Sequence, residues 1–119
     1  MPLYCILSET APGVSREEVR RHLPDHLKFQ FESERAGRLF AAGPLGEIEK
    51  SNLGMYILIT KTEEEAREIA EKDPFHVRGI RKYDLRLWNF HESSILGVGV
   101  RAWLNGTDTS YRGYWPPQG

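Results

Sequence analysis

Apolar residues occur in strand-length runs at four places along the chain. The runs 3–7, 38–42 and 55–60 are rich in β-prone residues and are bounded by turn-forming or polar residues. Over 84–88, two leucines alternate with charged and aromatic residues. These patterns predict four strands. We expect the first strand to be buried on both faces and the second and third to pair as a hairpin.

A first helix is predicted between the first two strands. Ser15 followed by Glu18 is a capping box, in which each side chain satisfies a free backbone amide at the helix start. The helical pattern runs to about Ala36 and is followed by Gly37, a residue favoured after a helix C-terminus. Pro24 interrupts the pattern, because proline lacks a backbone donor and clashes with the preceding turn. We therefore expect a kink, or a short first helix that restarts at Pro24.

One side of this helix is marked by apolar side chains. Leu23, Leu27 and Phe31 follow an i, i+4 spacing, which places them in a single stripe. We expect this stripe to pack on the sheet, with His26 at the margin of the core.

A second helix is predicted to begin at Thr62, because the acidic residues of its first turn match the positive end of the helix dipole. Asp73 and Pro74 then fit the N-cap and the first helical position of a short extra turn that ends at Gly79. The inward face of the second helix is expected to consist of three apolar residues, Ala66, Ile69 and Ala70.

The element order β-α-β-β-α-β is that of the ferredoxin-like α+β fold, with both helices on one face of an antiparallel sheet. The other face needs a cover, and a chain of this size buries only about two thirds of its unfolded surface, so we expect a second copy to pack there. Over 95–103, alternating apolar residues predict an extra C-terminal strand. We expect one domain over 1–104, followed by an aromatic, Pro- and Gly-containing tail over 105–119.

Composition narrows the classes of function. The 119 residues include 16 Lys+Arg and 17 Asp+Glu, a balance that argues against a binder of nucleic acid or of acidic membranes. A basic cluster at 78–82 is typical of solvated surface, although its local field can attract an anionic substrate. The single Cys5 cannot form an internal disulfide, and no segment resembles a signal peptide or a membrane helix, so we expect a cytoplasmic protein.

Histidines and an aspartate supply the candidate chemistry. His22 and His26 are four residues apart and would face the same side of a continuous helix, a geometry used by zinc ligands. The proline between them disturbs this spacing, so a solvated surface position is preferred for His22. Asp73 either simply begins a helical turn or, held rigidly there, orients a catalytic histidine. Phe75 is most simply a core residue, whereas His76 fits either role.

A set of short motifs resembles the YciI-like family over roughly residues 1–90. The spacing from the histidine to the Gly-Pro pair matches the family without gaps, and Trp88 with the following segment resembles its longer members. The motifs are Leu23-Pro24-Asp25-His26-Leu27, Ala36-Gly37-Arg38-Leu39, Ala42-Gly43-Pro44, Glu64-Glu65-Ala66, Asp73-Pro74-Phe75 and Gly79.

This resemblance implies a dimeric ferredoxin-like α+β barrel related to muconolactone isomerases. It also implies a cleft whose proposed catalytic pair corresponds to His26 and Asp73. The family includes a dehydrochlorinase that acts on a hydroxylated aromatic compound, so proton transfer on small rings is the expected chemistry.

We therefore expect a small cytoplasmic lyase or isomerase in which His26 is general base and acid, while Asp73 fixes its tautomer and stabilises the imidazolium. The reaction needs no redox cofactor or metal. The expected partners are a small cyclic oxygenated substrate and a second copy of the chain, in a homodimer or larger oligomer, with no nucleic acid and no membrane. Candidate substrate-binding residues are Arg38, Gly43, Pro44, Phe75, His76 and Trp88.

Two other functions stay open at this point. A non-catalytic small-molecule-binding or accessory protein would use the same cleft without turnover. A metal-dependent enzyme would be built on His22 and His26.

Overall fold

The computed structural model describes residues 2–96 and 104. Within this range, strands and helices follow one another in the order predicted from the sequence. Their bounds are β1 Leu3–Thr10, α1 Arg16–Arg35, β2 Leu39–Pro44, β3 Leu53–Ile59, α2 Glu63–Glu71, α3 Pro74–Val77 and β4 Arg81–Trp88.

The four strands form one antiparallel sheet in the order β2-β3-β1-β4. β1 lies between β3 and β4, and β2 pairs with β3 as the predicted hairpin. Residues of α1 and α2 pack on the same face of the sheet, which we call the inner face. The chain therefore has the ferredoxin-like α+β fold expected from its element order.

The helix starts follow the predicted local signals. Ser15 caps α1 and accepts a hydrogen bond from the Glu18 amide at 3.1 Å. Thr62 caps α2 in the same way, with the Glu65 amide 3.1 Å from its hydroxyl. Asp73 is the N-cap of α3, as its position before a proline predicts.

α1 is one continuous helix, so the predicted alternative of a helix that restarts at Pro24 is wrong. A proline in a helix interior removes one backbone hydrogen bond, and the remaining bonds of a 20-residue helix suffice to continue the helix past it.

The expectation that Leu23, Leu27 and Phe31 pack on the sheet is also wrong, because these side chains are 36%, 55% and 58% exposed. Successive residues of a helix point about 100° apart, so a neighbouring set of positions turns inward instead. That inward face of α1 is more polar than predicted and consists of His26, Phe29, Gln30 and Ser33.

Two clusters of apolar side chains lie on opposite faces of the sheet. On the outer face, Phe90 and Leu104 pack against a cluster formed by Leu3, Ile57 and Ile59. The chain itself therefore covers part of the face that a second copy was expected to cover. The inner cluster, between the sheet and the helices, consists of Tyr4, Ile6, Leu39, Tyr56, Leu58, Ala66 and Ala70.

The predicted fifth strand falls almost entirely outside the described residues. Residues 95 and 96 are described and do not lie in a strand. Residues 97–103 and the tail 105–119 lie outside the described part of the chain. No helix in the described ranges combines the length and hydropathy needed to cross a membrane.

Replacement of Pro24 by alanine should stabilise the fold. The new backbone N–H can complete the hydrogen-bond ladder of α1, and an interior proline costs up to about 3 kcal/mol. We expect the free energy of unfolding, measured by urea denaturation, to rise by about 1 to 2 kcal/mol.

Pro74→Ala is the matched control, because Pro74 stands at the first position of α3, where its missing N–H costs nothing. This control should give no gain. A loss of stability in Pro24→Ala would contradict the interpretation.

Candidate active site

Asp73 is fully buried, with 0% of its surface exposed. Its position follows from local sequence, because as N-cap of α3 it accepts a hydrogen bond from the Phe75 amide to Oδ1 at 3.0 Å. Pro74 follows at a helical position that needs no backbone donor. This rigid cap directs a carboxylate into the space between α1 and the sheet.

His26 reaches this carboxylate from α1. Its Nδ1 lies 2.9 Å from Oδ1 and 3.0 Å from Oδ2 of Asp73, and its side chain is 12% exposed. The imidazole stacks on the ring of Phe75, with 4.5 Å between the centroids. The structure thus brings together the two residues that the sequence resemblance singles out, at the margin of the core where His26 was expected.

The charge state of the pair follows from its surroundings. Burial alone would raise the pKa of Asp73, but the hydrogen bond and charge interaction with His26 oppose it, helped by His76 and the Phe75 amide, and the pKa is lowered. Asp73 is therefore ionised at neutral pH, and Nδ1 of His26 donates the proton. Nε2 of His26 has no hydrogen bond to any described residue.

Tyr56 is a third member of the site that the sequence did not reveal. Its hydroxyl donates a hydrogen bond to Oδ2 of Asp73 at 3.2 Å, and the side chain is 2% exposed. Burial and then the nearby charge of Asp73 raise the pKa of Tyr56 far above its usual value, so the hydroxyl stays protonated. Strand alternation predicts only that Tyr56 shares a face with Leu58.

His76 is anchored at both ring nitrogens. Nδ1 lies 2.6 Å from the carbonyl oxygen of Ala70, and Nε2 lies 2.7 Å from the hydroxyl of Ser8. Because a carbonyl only accepts, Nδ1 carries the proton and Nε2 accepts from Ser8. Burial lowers the pKa of His76, partly opposed by the bond to Ala70. His76 therefore joins α2, α3 and β1 and keeps no free nitrogen for a substrate.

Arg81 is partly buried on the inner face, whereas the sequence placed it in a solvated basic cluster. Its guanidinium carbon lies 4.6 Å from the centroid of the Phe75 ring, and its buried Nε has no hydrogen-bond partner among the described residues. Burial lowers the pKa of Arg81, opposed by the charge of Asp73. Gly54 leaves room for this side chain, since a Cβ there would lie 2.9 Å from Nη1 of Arg81.

Four further candidate residues lie elsewhere in the chain. Arg38 lines a cavity of about 280 Å³ beside α2. Gly43 and Pro44 are exposed at the end of β2. Trp88 lies on the outer face with its ring 5.4 Å from that of Phe90. Among the contacts of the described residues, none joins these four to the paired histidine and aspartate. Of the predicted substrate-binding residues, Phe75 stacks on the histidine of the pair.

A second cavity, of about 560 Å³, lies between α1 and β2. Leu27 and Gln30, which follow His26 by one and four positions, line it together with Phe31 and residues of β2. Its volume is within the range of small-molecule sites, and most of its lining is apolar. Gln30 adds a polar group whose buried Oε1 has no hydrogen-bond partner within residues 2–96 and 104.

The described residues contain no group of three or more His, Cys, Asp or Glu side chains suited to hold a metal ion. His22 and His26 do lie on one continuous helix, but Nδ1 of His26 is bound to Asp73. His26 is therefore oriented toward the carboxylate of Asp73 through Nδ1.

Known proteins resemble this chain in sequence and in fold. The model of the YCII-related domain matches residues 2–89. Among solved structures, 5-chloro-2-hydroxyhydroquinone dehydrochlorinase from Burkholderia phenoliruptrix, in complex with 2,5-dihydroxybenzoquinone, is 22% identical; the alignment covers 72% of this chain and 92% of that one, with a TM-score of 0.60. A protein from Arabidopsis thaliana is 16% identical over 79% of this chain and 99% of its own, with a TM-score of 0.43. No curated protein matches the sequence.

The anchoring of His76 predicts an acid-sensitive fold. Because the pKa of His76 is lower in the folded chain than its ordinary value of 6.5, the unfolded chain binds the proton more readily. The contribution of neutral His76 to the free energy of unfolding is complete above pH 6.5, and it is lost as the pH falls through the lower pKa of His76 in the folded chain. His76→Gln should reduce the fall in the free energy of unfolding between about pH 7.5 and about pH 5, measured in urea.

His22→Gln is the matched control, since His22 makes no hydrogen bond or ion pair with a described residue. This variant should keep the pH dependence of the parent. If His76→Gln retains it as well, His76 is not the group responsible.

Proposed function

The chain belongs to the YCII-related family, and from this membership we propose that it is a small lyase or isomerase that transfers a proton on a small cyclic, oxygenated metabolite. The observation that carries the proposal is the bond of His26 Nδ1 to both oxygens of the buried Asp73. A hydrogen-bonded His–Asp pair at the margin of a core is a geometry suited to general acid–base catalysis.

In the proposed mechanism, Nε2 of His26 is the reactive atom. With Nδ1–H held by Asp73, Nε2 carries the lone pair and accepts a proton from the substrate. The electron pair left behind moves into the substrate and either expels a leaving group, in an elimination, or is protonated at another atom by the imidazolium, in an isomerisation. The carboxylate of Asp73 stabilises that imidazolium and fixes its tautomer.

The substrate class follows from similarity and from the surroundings of His26. The structural neighbour dehydrochlorinates a chlorinated hydroxyhydroquinone, and its fold is shared with this chain. We propose that the cavity between α1 and β2, which Leu27 and Gln30 line although His26 itself does not, admits a ring of this kind. Proton transfer of this type requires no redox cofactor. The single Cys5 is in keeping with action in a reducing cytoplasm.

We also propose that the protein acts as a homodimer formed through the outer face of the sheet. Phe90 and Leu104 cover part of this face, whereas Cys5, Leu7 and Met55 remain only partly buried. Apolar side chains left partly open on a sheet favour burial against a second sheet.

Substitution of the outer face tests this assembly. In sedimentation experiments, Met55→Glu should weaken the dimer by about tenfold or more, because a charge would replace an apolar contact. Leu27→Glu is the control, since Leu27 is 55% exposed on the opposite side of the sheet. A parent chain that is monomeric at micromolar concentration would contradict the proposal, as would dissociation caused by Leu27→Glu alone.

Substitution of the pair tests the mechanism. With 5-chloro-2-hydroxyhydroquinone as the first trial substrate and chloride release as the readout, His26→Gln and Asp73→Asn should each lower kcat by about 10² to 10⁴. His22→Gln should not change it. Where this substrate is not turned over, thermal stabilisation by other ring-containing metabolites identifies further trial substrates.

Survival of turnover within about tenfold in His26→Gln would exclude His26 as the catalyst. A ring compound that stabilises the fold but is never converted would instead favour the non-catalytic binding function.

A further inference from the structure

In the described part of the chain, each oxygen of the Asp73 carboxylate has one donor besides His26. Oδ1 accepts the Phe75 amide at 3.0 Å, and Oδ2 accepts the Tyr56 hydroxyl at 3.2 Å. The distances from His26 Nδ1 to the two oxygens are almost equal, 2.9 and 3.0 Å. A terminal carboxylate rotates within a broad torsional well, so a fixed plane requires a partner at both oxygens.

We propose that Tyr56 is a positioning residue of this site, whose hydroxyl holds Oδ2 of Asp73 and so fixes the carboxylate plane that orients His26. Its consequence for catalysis rests on the function proposed above, but the positioning itself does not.

The two flanking donors are not equivalent. The Phe75 amide belongs to the same short helix as Asp73 and moves with it. Tyr56 stands on β3, seventeen positions earlier in the chain, and therefore ties the carboxylate to the sheet. Without the Tyr56 bond, Oδ2 would keep, of its described partners, only His26, which is the group that must be oriented.

The ring of Tyr56 is itself held in place. It packs against Phe29 and His26, both with 6.5 Å between ring centroids, and stacks near His76 at 6.4 Å. These contacts leave the hydroxyl little freedom to move. Because burial and Asp73 raise the pKa of Tyr56, this group is a permanent donor and not a second base.

Tyr56→Phe removes this one hydrogen bond and leaves the ring. The charged or titratable groups that face Asp73, namely His26, His76 and Arg81, are retained, so a change in the titration of Asp73 reports the hydroxyl. In a ¹³C NMR titration, we expect the pKa of the Asp73 carboxyl to rise by roughly one pH unit, the scale of one hydrogen bond to a carboxylate. The Nδ1–H proton of His26 should also exchange faster with water.

Tyr83→Phe is the matched control. Tyr83 lies near His76, with 4.7 Å between the rings, but its hydroxyl bonds to Glu71 and not to Asp73. This variant should leave the Asp73 titration and the exchange of the His26 proton as in the parent. A Tyr56→Phe chain that titrates like the Tyr83→Phe chain overturns the proposal.

A second variant covers the case in which Tyr56→Phe fails to fold. Incorporation of 3-fluorotyrosine at position 56 keeps the hydroxyl and makes it a stronger donor, so the pKa of Asp73 should fall below that of the parent. An Asp73 titration unaffected by the fluorine overturns the proposal.

Activity measurements distinguish a failure of the Tyr56 positioning from a failure of the proposed function. With a substrate in hand, Tyr56→Phe should lower kcat by about tenfold while KM changes little, as for other groups that orient a catalytic residue. If His26→Gln and Asp73→Asn leave turnover unchanged while Tyr56→Phe raises the pKa of Asp73, the proposed function fails and the positioning stands. If His26→Gln and Asp73→Asn abolish turnover but Tyr56→Phe leaves the pKa of Asp73 unchanged, the positioning fails and the proposed function stands.

Discussion

One fully buried carboxylate constrains the end of the fold at which α1, α3 and the sheet meet. A buried charge is tolerated only where hydrogen-bond donors replace the lost water, and Asp73 has three such donors. They are the imidazole of His26 on α1, the Phe75 amide on α3 and the hydroxyl of Tyr56 on β3. Elements far apart in the sequence are thereby joined at one point, and each must turn a polar group inward.

This requirement accounts for features that hydrophobicity alone does not. α1 turns His26 and Gln30 toward the sheet, while Leu27 and Phe31 stay more than half exposed. The same end of the fold holds a partly buried Arg81 whose guanidinium stacks on Phe75 instead of forming an ion pair in the described part of the chain. The observed rotation of α1 is therefore the one that brings His26 to the buried carboxylate and Phe29 to the inner cluster, and it leaves the predicted apolar stripe outside.

The sequence predicts the fold well where the signals are local. Ser15, Thr62 and Asp73 begin helices as their capping patterns indicate, and strand alternation gives the correct order of elements. The sequence does not predict which side of α1 faces the sheet, because the predicted apolar stripe and the positions that actually turn inward are only one residue apart along the helix. His26 and Asp73 are linked in advance only through family resemblance, since nothing in their own spacing joins them.

The rest of the site depends on contacts between distant parts of the chain. Tyr56 and Ser8 are ordinary strand residues in the sequence, and only the register of the sheet places them beside α3. Arg81 belongs by pattern to a solvated cluster, and its burial depends on the missing side chain of Gly54 across the sheet. Conversely, Arg38, Gly43 and Trp88 belong to the predicted site by sequence but lie apart from its centre.

In the neutral ring of His26, the bond to Asp73 keeps the proton on Nδ1 and leaves the lone pair on Nε2. ¹⁵N NMR of the histidine rings tests it directly, because the two nitrogens of a neutral imidazole have distinct shifts. With the ring neutral, we expect a protonated Nδ1 whose proton exchanges slowly with water, and an unprotonated Nε2. A His26 ring that carries its proton on Nε2, or that exchanges freely between the two forms, would contradict it.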